Sequence, residues 1–125
     1  MPWQEAHALG VAEMDATHQA FVAQVDALLL APDPDFPELL QAVLQHCRLH
    51  FEQEGRLMRH CRFPAIGEHE SEHLRVLGEL AYFGRAARSG RIRLAREYVR
   101  HLPEWFAAHL ATMDSALAAC LRRSG

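Results

Sequence analysis

Val43-Leu44-Gln45-His46-Cys47-Arg48-Leu49-His50-Phe51-Glu52-Gln53-Glu54-Gly55-Arg56-Leu57-Met58-Arg59-His60-Cys61 decides how the chain folds. Within it Val43, Cys47, His50, Glu54, Leu57 and Cys61 follow one another at steps of four, three, four, three and four. That spacing sets them along one face of an α-helix. His50 and Glu54 therefore stand where a core helix would place Leu or Val. Burying an imidazole and a carboxylate is costly unless they are paired or hold a metal.

Working outward, three more segments carry the helical period. His18, Phe21, Val25 and Leu28 form a stripe before the stretch. Ile66, His69, His73, Val76 and Leu80 form one after it. Leu102, Trp105, Phe106, His109, Leu110, Met113 and Leu117 form the last, with Asp114 beside it. The helices are expected at about 15–30, 38–61, 67–88 and 92–121, with ends uncertain by about two to four residues. Asp15 reads as the N-cap of the first. Residues 1–14 form an N-terminal arm, and the breaks fall at 31–37, 63–67 and 89–90, where Pro and Gly cluster. Pro103 should kink the fourth segment or begin its rigid part. No segment alternates with period two. The expectation is an all-α, up-down-up-down four-helix bundle with an N-terminal arm, one domain over 1–125.

Composition narrows the function. Half of the 125 residues are apolar, enough for a core, and the net charge of −3 leaves no basic footprint for nucleic acid. All 13 strongly basic residues are arginine, the usage of a GC-rich bacterial coding sequence. No apolar run has the length of a membrane span, and MPWQEAHALG lacks the pattern of a signal peptide, so a cytoplasmic location is expected. Cys47 and Cys61 would lie about 21 Å apart on one helix, too far to bridge; with Cys120 they read as free thiols.

All four helices bring at least one potential ligand to the inner face, which independent hydrogen-bonded histidines would rarely do. His50 with Glu54 and His69 with His73 are i, i+4 pairs whose side chains can reach one site. His109 and Asp114 are five apart, a turn of about 140° on an α-helix. Either the carboxylate arrives from the side to bridge two metals, or a local π-bulge realigns the pair. The set of His18, His50, Glu54, His69, His73, His109 and Asp114 is too large for one ion and suits two. If both carboxylates and one solvent-derived oxygen bridge, three histidines complete six-coordination on one ion. Two histidines leave an open position on the other. An imidazole-rich site of this kind suits iron acting on O2, although the residue set alone leaves zinc, manganese and copper open.

These residues resemble the hemerythrin family, specifically its single-domain bacterial members, over nearly the whole chain. Trp3, Leu9-Gly10-Val11 and Met14-Asp15-x-x-His18 are similar to the family's opening. His50-Phe51-x-x-Glu54-x-x-x-Met58 resembles its second-helix motif. Phe63-Pro64 with His69-x-x-x-His73, and Trp105-x-x-x-His109-x-x-x-x-Asp114, resemble its third and fourth. The resemblance implies two iron ions (Fe2+/Fe3+) with an oxo or hydroxo bridge. His69, His73 and His109 would sit on one and His18 and His50 on the other, with Glu54 and Asp114 bridging. It implies reversible O2 binding for storage, delivery or sensing, at the iron held by His18 and His50, with small anions such as azide competing. Trp105, Phe106, Leu110 and Met58 are expected in the core and around a dry O2 pocket. Thr17, Gly55 and Phe106 depart from the family's usual residues.

Two rivals use the same residues. A di-iron enzyme could reduce peroxide or nitric oxide at such a centre. His69-Glu70-Ser71-Glu72-His73 also spells the HExxH of zinc hydrolases, with Glu70 as general base and Glu97 as a third ligand. His7, His46, His60 and His101 fall off the stripes and are expected at the surface. Arginines 85, 88, 91, 93, 96 and 100 are expected to form a solvated face.

Overall fold

The structure, a computed structural model, describes residues 3–124. It is a four-helix bundle of up-down-up-down topology, with no strand among the described residues. A short 3-10 turn at Glu5–His7 precedes α1 (Ala12–Leu30), α2 (Phe36–His60) and α3 (Ile66–Arg88). The fourth position is built from α4 (Ile92–Val99), α5 (Leu102–His109), a π-helical turn (Leu110–Asp114) and α6 (Ser115–Arg123). No helix is long and apolar enough to cross a membrane among the described residues.

The chain chemistry accounts for the boundaries. Val11, in extended conformation, is the N-cap of α1, so the expectation that Asp15 caps it is corrected. Asp15 lies inside the first turn, and its carboxylate accepts from the backbone N–H groups of Leu9 (2.7 Å) and Gly10 (3.2 Å). It clips the arm onto the helix instead. Helix α2 ends in a Schellman motif: Phe63 N–H donates to the Met58 carbonyl at 2.9 Å and Arg62 N–H to Arg59 at 3.3 Å. The left-handed position falls on Arg62 (φ 54°) rather than on a glycine. Helix α3 closes the same way, with Gly90 (φ 94°) in the left-handed position and Arg91 N–H donating to Ala86 at 2.8 Å.

The single fourth helix expected at 92–121 is interrupted at Arg100–His101. Pro103, in the first turn of α5, has no N–H for the Val99 carbonyl, so it opens a new helix.

The interior falls into two apolar clusters. The larger includes Phe21, Leu28, Phe36, Leu40, Val43, Cys47, Leu80, Val99, Leu102 and Phe106. The smaller holds Met14, Met58, Phe63, Leu117, Ala118 and Cys120. Below Glu54 the buried position of α2 is Met58, with Leu57, expected on the stripe, only partly buried against it. The predicted ligands lie between the clusters. Along α1 the order is Met14, His18, Phe21; along α2 it is Phe51, Glu54, Met58. Arg96 departs from the expected solvated face: its guanidinium lies 4.5 Å over the Phe36 ring and donates to Asp33 Oδ1 at 2.9 Å. It ties α4 to the loop between α1 and α2.

Candidate metal centre

All seven predicted ligands are buried, none more than 6 % exposed. The helices aim them at one layer, and the two carboxylates divide the imidazoles between their oxygens. Glu54 Oε2 lies 2.7 Å from His50 Nε2 and 3.1 Å from His18 Nε2. Glu54 Oε1 lies 3.2 Å from His69 Nε2 and 3.3 Å from His73 Nε2. Asp114 repeats the division: Oδ2 is 3.3 Å from His18 Nε2, while Oδ1 is 3.2 Å from His69 Nε2 and 3.3 Å from His109 Nε2. One group is thus His18 and His50, the other His69, His73 and His109, with both carboxylates spanning them.

The π-turn explains how His109 and Asp114 meet. One extra residue in the turn carries Asp114 round to stand over His109, so a five-residue separation does the work of four.

The donors fit metal ions and are poorly served without them. Buried His73 Nε2, His109 Nε2 and Asp114 Oδ1, all turned into this layer, have no hydrogen-bond partner. Native interiors rarely leave so many polar atoms unpaired. Two groups of ligand atoms lie within 4.8 Å of one another: Glu54, His69, His73, His109 and Asp114, and His18, His50 and Glu54.

The electrostatics agree. Burial lowers the proton affinity of His18 and His69, but the Asp114 and Glu54 carboxylates beside them outweigh it and raise both to about 9. Burial would raise the Glu54 carboxyl, yet hydrogen bonds with His18, His50 and His69 hold it well below the usual range. Asp114 is pushed up by burial and by the charge of Glu54, but His109, His18 and His69 hold it low. His73 is lowered by burial. Without a cation, protons on two imidazoles balance two carboxylates; metal ions would take their place.

The sequence model of the Hemerythrin HHE cation binding domain matches residues 9–121. The chain is 37 % identical over 123 residues to a bacteriohemerythrin of Ralstonia nicotianae, covering 98 % of this chain and 90 % of that one. The chain belongs to the hemerythrin family. A crystal structure of a hemerythrin carrying a single leucine-to-alanine substitution superposes with a TM-score of 0.87 at 21 % identity, covering 97 % of this chain and 96 % of that one. That likeness carries the fold.

Around the ligand layer of this hemerythrin, aromatic rings hold the imidazoles. Phe51 stacks on His73 (3.8 Å between centroids, 2° between planes) and Trp105 on His109 (4.8 Å, 21°). Phe106 meets His18 edge-on at 5.5 Å. The Trp105 indole N–H donates to Glu72 Oε1 at 2.8 Å, and Arg75 holds the Glu72 carboxyl down to about 2. A narrow crevice beside the site is lined by Phe21, His50, Phe51, Trp105, Phe106, His109 and Asp114. Of the residues expected around a pocket, Trp105 and Phe106 line it. Leu110 is buried in the larger cluster without lining the crevice, and Met58 lies in the smaller cluster. Phe21 and Phe51 were not expected to line it; the aromatic directly after His50 was the available signal.

The off-stripe histidines divide. His60 and His101 are exposed, as expected. His46 is half-buried, a correction: its Nε2–H donates to the Thr17 carbonyl at 3.1 Å and its ring lies 5.7 Å from that of His50. The Thr17 hydroxyl donates to Gln53 Oε1 at 2.8 Å, so this position straps α1 to α2 beside His18. His7 is also half-buried, packed by Trp3 at 5.3 Å and Phe106 at 6.3 Å. The zinc-hydrolase alternative fails on geometry: Glu70 is exposed beside Arg59, and Glu97 is exposed and paired with Arg100.

Proposed function

We propose that this hemerythrin binds O2 reversibly at a pair of iron ions held by His18, His50, Glu54, His69, His73, His109 and Asp114. The carrying observation is the division of imidazoles, two against three, across the oxygens of two shared carboxylates. When bound, ferrous ions supply the electrons that O2 takes up and returns. Glu54 and Asp114, which each face both imidazole groups, would hold the two ions as a pair. His69, His73 and His109 would hold one ion. His18 and His50 would hold the other with one imidazole fewer, and that is the side proposed for O2 or a small anion such as azide. The crevice lined by Phe21, Phe51, Trp105 and Phe106 reaches His50, and its apolar rings exclude water from that side. Trp105 and Phe51 keep His109 and His73 in register by stacking.

This is a binding protein rather than an enzyme, as the family's oxygen-binding character supports. The test is direct. Metal analysis should find two irons per chain, and the reduced protein should form an oxy spectrum that reverses under vacuum. One tightly bound zinc, or irreversible oxidation on first contact with O2, would refute the reading. A crystal of the azide form should place azide beside His18 and His50, not beside the three-histidine group.

A further inference from the structure

The chain has three cysteines, and two of them meet outside the metal layer. Cys61 is the C-cap of α2; Cys120 lies on α6, and its Sγ donates to the Cys61 carbonyl at 3.2 Å. The Cys61 thiol itself points back along α2, 3.9 Å from the Met58 carbonyl. Cys61 is partly exposed and Cys120 is buried, packed among Met58, Phe63, Leu117 and Ala118. Cys47 is fully buried in the larger cluster, and burial holds its thiol up near about 12.

We propose that Cys61 and Cys120 are a redox pair, closed to a disulfide by hydrogen peroxide, that staples the end of α2 to α6. Cys61 is the thiol an oxidant reaches first. Its sulfur, as thiolate, attacks one peroxide oxygen, the O–O bond breaks, and sulfenic acid and water result. The Cys120 sulfur then displaces the sulfenic oxygen, which leaves as a second water. Two thiols are oxidised and one peroxide is reduced to two waters.

Burial and the neighbouring Cys120 hold the Cys61 thiol up at about 11, with Arg123 opposing. The thiolate is therefore scarce at neutral pH, and closure speeds up as pH rises. The pair answers sustained peroxide rather than a brief pulse.

The consequence follows from where the staple sits. Cys61 and Cys120 are 59 residues apart, and the loop they would close contains His69, His73, His109 and Asp114. A cross-link over so long a loop restricts the chain once it loosens. It keeps four of the seven ligands on a tethered segment when the metal has left, whichever metal the layer holds.

The experiment uses the purified full chain, reduced and then freed of reductant, both metal-loaded and chelator-treated. After hydrogen peroxide, free thiols should fall from three to one, and the mass should drop by two hydrogens. The tryptic peptide His60–Arg62 should be found joined to His101–Arg122. The chelator-treated protein should melt several degrees higher than its reduced form, and dithiothreitol should reverse this. Cys61→Ser and Cys120→Ala should each abolish the cross-link and the shift, while Cys47→Ala should retain both. Cys61 recovered as sulfinic acid with Cys120 free, cross-links only between copies, or a disulfide with no thermal shift would overturn the proposal.

Discussion

His18 and His69 each face both carboxylates, and in the metal-free chain they hold the protons that balance those charges. Their folded values, about 9, stand above the usual 6.5. A raised value contributes stability that is present in full below 6.5 and lost as pH rises through about 9. Glu54 and Asp114 are held low, so their contribution is present above the usual 4.5 and 3.8 and lost as pH falls. Above about pH 6.5, where the lowered His73 and His46 no longer add a slope, the metal-free protein should therefore melt progressively lower toward pH 9. A melting temperature that climbs over that upper span would contradict the charge balance. Metal loading needs neutral imidazoles and runs the other way: near neutral pH it should release about two protons, and retention should weaken in acid. Calorimetry in buffers of different ionisation enthalpy counts those protons. At the same scale, Glu54→Ala or Asp114→Ala should cost the protein both ions, because each carboxylate faces both imidazole groups. His101→Ala, fully off the layer, should leave the metal content at two per chain.

At the scale of the element, the π-turn at Leu110–Asp114 is a one-residue insertion in an otherwise helical rod. Deleting exposed Ala111 should restore an α-helix, keep Asp114 beside His109 at a four-residue spacing, and leave Leu117 and Cys120 in register. Inserting an alanine after Thr112 should swing Asp114 by about 100° and strip the metal. Metal analysis of the two variants separates them; equal metal content would mean that the turn does not set the carboxylate. Gly55, one residue beyond Glu54, offers a milder test. A Cβ there would meet Glu70 Oε2 at 3.2 Å and Arg59 Nη1 at 3.4 Å, both ends of flexible, exposed side chains. Gly55→Ala should therefore gain up to about 1 kcal/mol from helix propensity in a denaturant melt, with two metals retained. The sequence showed that a π-bulge was one of two ways to reconcile His109 with Asp114. It could not choose, because a five-residue spacing is equally readable as a carboxylate entering from the side.

Across the molecule, the ligand layer is a polar slab between a large and a small apolar cluster, and the crevice approaches it from the large one. The chain thus keeps water from the side where O2 is proposed to enter. Phe106→Tyr preserves the ring's shape while placing a hydroxyl in that lining. It should shorten the lifetime of the oxy form several-fold, followed as loss of the oxy spectrum in air. An unchanged lifetime would show that the dryness of this crevice does not govern autoxidation.

The four helices and the seven converging side chains were legible from spacing alone, because a helix turns by a constant angle and a stripe of ionisable residues inside an apolar face has few explanations. The family was legible as a resemblance, from several motifs standing in the family's order along the chain. Local spacing did not reveal that Asp15 ties down the arm, that His46 straps α2 to α1, or that Phe51 and Phe21 line the crevice. Nor did it bring Cys61 against Cys120. Each of these contacts joins residues whose meeting depends on how one helix lies against another, and a period along one chain segment carries no information about its neighbour. The division of each carboxylate between two imidazole groups belongs to the same class. Composition supplied the ligands, but only the packing of four helices set which oxygen each imidazole faces.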